Sequence, residues 1–179
     1  HGMFYISPYN DPEVIAGQGS CGVEISEQLA DLDVLYIAVG GGGLVAGVGS
    51  VLKTANPDLR IVGCQPAASA VMAHSVEAGR ILDEPSQPTL SDGTAGGVEK
   101  GSITFDLCRD LVDEFVLVDE AAIGAAMCQF FDLEHQLIEG AAGVAVAAML
   151  AQGKTIAGRK VAVLICGGNV SRDTFKRIL

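Results

Sequence analysis

Two apolar runs in this 179-residue chain end in glycine clusters. Val39 leads into Gly40, Gly41, Gly42 and Gly43, and Ile165 leads through Cys166 into Gly167, Gly168 and Asn169. Glycine has no Cβ, so a ligand can come up to its backbone N–H. A helix beginning near Leu44 would turn the positive end of its dipole toward the first cluster, which suits an anion such as a phosphate. The same glycines also suit tight turns and close packing of a helix on a sheet. Two such clusters, with the small-residue run Gly140-Ala141-Ala142-Gly143, point to a ligand bound beyond the strand ends.

Other chemistry is sparse. Gly41-x-Gly43-x-x-Ala46 fits the dinucleotide fingerprint in its glycine/alanine form. That fingerprint expects a carboxylate at the end of the next strand to hold the ribose, and here the strand ends in Cys64-Gln65-Pro66. NAD is therefore a second choice. There is no G-x-x-x-x-G-K-[ST] loop and no G-x-S-x-G elbow. His74 and His135 fall on expected helices with no second His four residues away, so they read as surface or packing residues. Asn169-Val170-Ser171 matches a glycosylation sequon but directly follows a core strand, and is read as chance.

Composition narrows the class. The chain is 49% hydrophobic and 18% charged, which excludes disorder throughout. It has 23 glycines without a Gly-X-Y period, no Trp and 5% aromatics, so Ala, Val, Ile and Leu must build a core in which backbones approach closely. With 11 basic and 22 acidic residues the formal charge is −11, which repels phosphate backbones, and no nucleic-acid partner is expected. The five cysteines, Cys21, Cys64, Cys108, Cys128 and Cys166, form no C-x-x-C pair. That argues against a disulfide framework or zinc knuckle and for a reducing cytoplasm. No basic-then-apolar leader opens the sequence, so no signal peptide is expected. Residues 34–52 are 19 positions without a charge, but six are glycine, so strand, loop and helix replace a membrane span.

The elements that must position the glycine clusters follow from periodicity. Residues 3–6 read as a short strand running into turns. Asp11 is an N-cap with Pro12 at the first helical position. After Gly17-Gln18-Gly19, a face of Gly22, Ile25 and Leu29 carries a helix to about residue 30. Strands are expected at 34–39, 60–64, 115–118 and 160–165, the first and last apolar enough to be buried on both faces. Helices are expected at 44–54, at 69–79 with Gly79 as C-cap, and at 104–111. Another follows the Asp119 cap with the stripe Ile123, Met127, Phe130 and Phe131, and residues 141–151 form one that is apolar all round and hence buried. Residues 81–101 form a long loop of the kind that is often functional. The alternation gives an α/β fold: an open, mostly parallel sheet with helices on both faces, one domain over residues 1–179.

Taken in order, Asp11-Pro12-Glu13-Val14-Ile15-Ala16-Gly17-Gln18-Gly19, Val39 with the four glycines and Leu44, Ser91-Asp92-Gly93, Glu139 and Cys166-Gly167-Gly168-Asn169 resemble one known family. It is the threonine dehydratase and serine racemase branch of the fold-type II pyridoxal-phosphate enzymes, and the resemblance spans essentially the whole chain. The cysteine-synthase branch looks different at the glycine loop. The resemblance implies pyridoxal 5'-phosphate as cofactor, its phosphate held by the N–H groups of Gly40, Gly41, Gly42, Gly43 and Leu44. It places Cys166, often Ser in relatives, against the pyridine nitrogen, which would stay largely unprotonated. Gly93 and Glu139 would lie near the ring. Read alone, Cys166 is a small buried hydrophobe and Glu139 a surface carboxylate at a helix start.

The implied reaction is β-elimination on a small amino acid, L-threonine or L-serine. A base takes the Cα proton, hydroxide leaves, and the resulting enamine hydrolyses to a 2-oxo acid and ammonia, with the cofactor as electron sink. Racemisation within the same branch is an alternative, and a homo-oligomer, dimer or tetramer, is implied for the full-length enzyme. The family's Schiff-base lysine sits in a Ser-x-Lys-like motif ahead of the segment matching His1. Lys53, Lys100, Lys154, Lys160 and Lys176 lack that setting. The chain is therefore expected to be the C-terminal part of a longer enzyme, without its covalent anchor or small domain and inactive alone. Some relatives bind a divalent cation through acidic residues where Gln65 and Val71 stand here, so no metal site is expected. From the residues alone, an NAD-binding module and a non-catalytic domain with structural glycine loops also remain open.

Overall fold

The computed structural model describes residues 2–179. Strands β1 (Val34–Ala38), β2 (Arg60–Pro66), β3 (Glu114–Val118) and β4 (Val161–Val163) lie parallel in the order β3-β2-β1-β4. Val34 stands opposite both Arg60 and Val161, so β1 is hydrogen-bonded on both edges. The helices are α1 (Pro12–Gln28), α2 (Gly43–Ala55), α3 (Val71–Glu77), α4 (Ile103–Leu111), α5 (Glu120–Glu134), α6 (Gly140–Ala151) and α7 (Arg172–Ile178).

The continuous apolar run of β1 is explained by cover on both faces. Tyr36 points to one side with Val62 and Cys64 of β2, against Ile123 and Met127 of α5 and Ala142, Val144 and Ala145 of α6. Leu35 and Ile37 point to the other with Ile61, against Val45 and Val48 of α2, Met72 of α3 and Phe105 of α4. α6 is buried along Gly140 to Ala148, as its apolar circumference requires.

Small residues let α1 lie close on α2. A Cβ on Gly22 would stand 2.9 Å from the Val48 carbonyl oxygen, and one on Gly47 would strike the Ile15 carbonyl. α1 runs unbroken from Pro12 to Gln28, with Ile15, Gly19 and Gly22 on its buried side.

Three expectations about the elements are corrected. Residues 3–6 form no strand: Met3 and Phe4 are more than 80% exposed and pair with no neighbour. The run 160–165 is not buried on both faces. β4 pairs with β1 alone, its three residues are half-buried, and Ile165 is exposed. The helix expected from residue 69 starts at Val71, since Ser69 is buried and hydrogen-bonded to Ser86 Oγ at 2.7 Å. The uncharged stretch 34–52 is β1, the glycine loop and most of α2, and no helix among the described residues is long and apolar enough to cross a membrane.

Chain order decides where a ligand can sit. From β1 the chain steps outward to β2 and β3, then returns to add β4 on the opposite side of β1. The connections after β1 and after β4 therefore part at the carboxyl ends of adjacent strands, leaving a crevice there.

Candidate functional site

That crevice is a cavity of about 610 Å³, within the roughly 300–1,000 Å³ typical of small-molecule sites. All eight residues singled out from the sequence, Gly40, Gly41, Gly42, Gly43, Leu44, Gly93, Glu139 and Cys166, line it. Pro8, Tyr9, Gln18, Cys21, Thr94, Leu164 and Ile165 join them.

The glycine loop is held from behind and left open in front. Gly42 is the N-cap of α2 with a left-handed φ of 89°, a conformation that a side chain would strain. A Cβ there would also stand 2.7 Å from Cys108 Sγ. Thr104 of α4 donates its hydroxyl to the Gly41 carbonyl at 2.6 Å. A Cβ on Gly40 would meet Thr94 Cα at 3.0 Å, and Tyr9 covers the Cβ side of both Gly41 and Gly43. Among the described residues, the N–H groups of residues 40–44 donate to no protein atom. Buried backbone donors are nearly always paired, so five free ones at a helix N-terminus form a ready anion cradle.

The second glycine turn is built around Glu139, the N-cap of α6. Its N–H donates to the Gly167 carbonyl at 3.0 Å, and its carboxylate accepts from the Asn169 N–H at 3.0 Å. A Cβ on Gly167 would overlap that carboxylate at 2.5–2.6 Å, and one on Gly93 would lie 3.5 Å from Oε1. Glu139 is thus a helix-start carboxylate and a cleft wall together.

Cys166 is not the buried hydrophobe its strand-end position suggests; it is exposed in the cleft. The cleft walls still enclose the sulfur enough that burial, and after it the Glu139 charge, push the thiol up to about 11. It is neutral near pH 7.

Among the described residues, no lysine, arginine or histidine lines the cleft, and Glu139 is its one formally charged residue. Lys53 pairs with Asp113 at 2.7 Å and Lys160 with Asp31. His74 pairs with Glu84 at 2.7 Å, and His135 ends α5 in a left-handed conformation. Gln65, where a ribose-binding carboxylate would stand, is buried and accepts from the Ala73 N–H at 2.7 Å, serving α3 instead. Sequence reading passed over Tyr9 and Thr94. Tyr9 sat in a Ser-Pro-Tyr-Asn turn, and a single aromatic in a turn was the only signal available.

A parallel sheet whose switch point joins an uncapped helix terminus to a second glycine turn defines an α/β protein built to hold a small phosphorylated ligand. The family described as pyridoxal-phosphate dependent enzyme matches residues 1–167, and the chain belongs to it. It is 41% identical to the L-threonine ammonia-lyase of Thermotoga maritima over 179 residues, 99% of this chain and 44% of that protein. It superposes with a TM-score of 0.93 on the processed form of threonine deaminase isoform 2 from Solanum lycopersicum, at 34% identity, covering 99% of this chain and 52% of that one. Maize serine racemase follows with a TM-score of 0.89 and 31% identity, covering 98% of this chain and 54% of that one. The chain spans about half the length of these relatives.

The cleft fits the family's cofactor. The free N–H groups of residues 40–44 match a phosphate, the volume admits a pyridine ring beside it, and the neutral Cys166 thiol can meet a ring nitrogen without protonating it.

Proposed function

We propose that this chain carries most of the non-covalent cofactor site of a lyase that releases ammonia from L-threonine or L-serine to leave a 2-oxo acid. The water lost in the elimination is regained on hydrolysis. The observation that carries this reading is the unpaired backbone cradle of residues 40–44, opening on the same cleft as Cys166 and Glu139. In this reading Gly40, Gly41, Gly42, Gly43 and Leu44 hold the phosphate, Cys166 faces the pyridine nitrogen, and Gly93 and Glu139 flank the ring. Pyridoxal 5'-phosphate supplies an electron sink for the Cα carbanion. Glu139 keeps the second glycine turn against α6, so the Cys166 backbone is held where the ring would lie. With the walls of the cleft around it, the thiol stays uncharged and withholds a proton from the ring. The lysine that would anchor the cofactor, and the domain that would close on the substrate carboxylate, are assigned to parts of the polypeptide outside these residues. We place the enzyme in the cytoplasm and expect a homo-oligomer; all five thiols here are unpaired.

Similarity to a serine racemase keeps a second reading alive. Incubating the intact protein with cofactor and either L-threonine or L-serine distinguishes them: 2-oxo acid and ammonia support the lyase, and D-serine supports the racemase. Failure of the intact protein to bind pyridoxal 5'-phosphate sinks both. Tight NAD binding abolished by Gly43→Val would instead favour the dinucleotide reading.

A further inference from the structure

Two walls of the cleft come from separate stretches of chain, residues 8–9 and residues 93–97. Neither stretch belongs to a strand or an α-helix, and the residues beside them are tied together outside the cleft at one residue, Glu99. The Glu99 carboxylate accepts from Ser7 Oγ at 2.9 Å, Asn10 Nδ2 at 2.8 Å and Tyr5 Oη at 3.3 Å. The Glu99 N–H donates to Tyr9 Oη at 2.8 Å. The Tyr9 ring in turn stands on the Cβ side of Gly41, and its Cα and Cβ on that of Gly43. We propose that Glu99 is a positioning residue for the cofactor, clipping residues 5–10 so that Tyr9 braces the glycine cradle; this rests on the cofactor reading of the cleft.

The physical reason is preorganisation. A cradle of backbone donors binds an anion well only when its amides are already fixed, since ordering them on binding costs affinity. Glycines are the residues least able to fix themselves. Thr104 holds the loop through the Gly41 carbonyl, and Tyr9 supplies the opposing surface. Hydrogen bonds from Asn10, then Ser7, also hold the Glu99 carboxyl below its usual range, so the clip is ionised and engaged at neutral pH.

Asn10 makes the clip testable by a polarity swap. Its Oδ1 accepts from the Ile103 N–H at 3.0 Å, so its amide cannot turn over freely. Asn10→Asp sets carboxylate against carboxylate, and Glu99→Leu leaves Ser7, Asn10 and Tyr5 without their acceptor. In the Asn10→Asp, Glu99→Gln double variant, Asp at position 10 accepts from both the Ile103 N–H and the new glutamine amide, and the clip re-forms.

The experiment strips cofactor from the intact protein and titrates it with pyridoxal 5'-phosphate, using inorganic phosphate as competitor, alongside the unfolding midpoint of the stripped protein. Each single variant should bind the cofactor roughly tenfold more weakly, the scale of one charge-assisted hydrogen bond, and the double variant should recover to within about threefold. Wild-type binding with unchanged affinity in both single variants overturns the clip alone. Lowered unfolding midpoints with unchanged affinity also overturn it, since the clip would then serve only the fold. Absence of binding by the wild type overturns the cofactor reading and this proposal with it.

Discussion

At the scale of single residues, the glycines of the first cluster are constrained on one side and free on the other. A Cβ on Gly41 would collide with the Tyr9 ring, whereas one on Gly43 would meet Tyr9 Cα at 2.8 Å. Both Gly41→Val and Gly43→Val should weaken pyridoxal 5'-phosphate binding at least tenfold. Adding Tyr9→Ala should relieve the first clash more than the second, because a ring can be removed and a backbone cannot. Fluorescence titration of the four variants checks this. The thiols divide by the same logic of access. Cys21 and Cys166 are exposed and line the cleft, while Cys64 and Cys108 are buried. Alkylation at pH 8 should mark Cys21 and leave Cys64 and Cys108 intact. Cys166, with its thiol near 11, should react slowly and faster as pH rises, and bound cofactor should protect it. Peptide mass spectrometry reads out each site.

At the scale of elements, helix α1 depends on how it starts and on what it lies against. Asp11 accepts from the N–H groups of Glu13 and Val14, so Asp11→Ala should cost about 1 kcal/mol. Gly47→Ala pushes a methyl into the Ile15 carbonyl and should cost about 1–3 kcal/mol as overpacking, because the obstacle is backbone. Urea unfolding of the two variants measures both, with the slope unchanged if the native state stays intact. The helix start at Asp11-Pro12 was legible because capping is a local property of the chain. The role of Gly19 and Gly22 as the surface that packs on α2 was not. Whether a glycine interrupts a helix or serves as its contact surface depends on α2, which is distant in sequence.

Across the whole molecule, the core carries a pH limit. Burial pushes the Cys64 and Cys108 thiols up to about 12, against an ordinary value of 9.0. Between those values the unfolded chain releases protons that the folded one retains. Stability from these groups is therefore full below pH 9 and lost as pH rises from 9 toward 12. The unfolding midpoint should fall over that range, and fall less steeply in a Cys64→Ala, Cys108→Ala double variant. The parallel α/β order and the glycine-ended strands were readable in the chain, because apolar run length, caps and glycine placement are encoded locally. Gly93, Glu139 and Cys166, by contrast, were singled out only through the resemblance to a family. The burial of β4 was misread. An apolar run records that a strand is suited to cover on both faces, while its place at the sheet edge beside β1 is set by topology. Glu99 and Tyr9 were invisible for a related reason, since a hydrogen bond joining positions 90 residues apart leaves no local pattern. The sequence by itself determined which backbone amides would be free to hold an anion. Only the tertiary structure decided what braces them, because the brace is assembled from segments that meet once the sheet has folded.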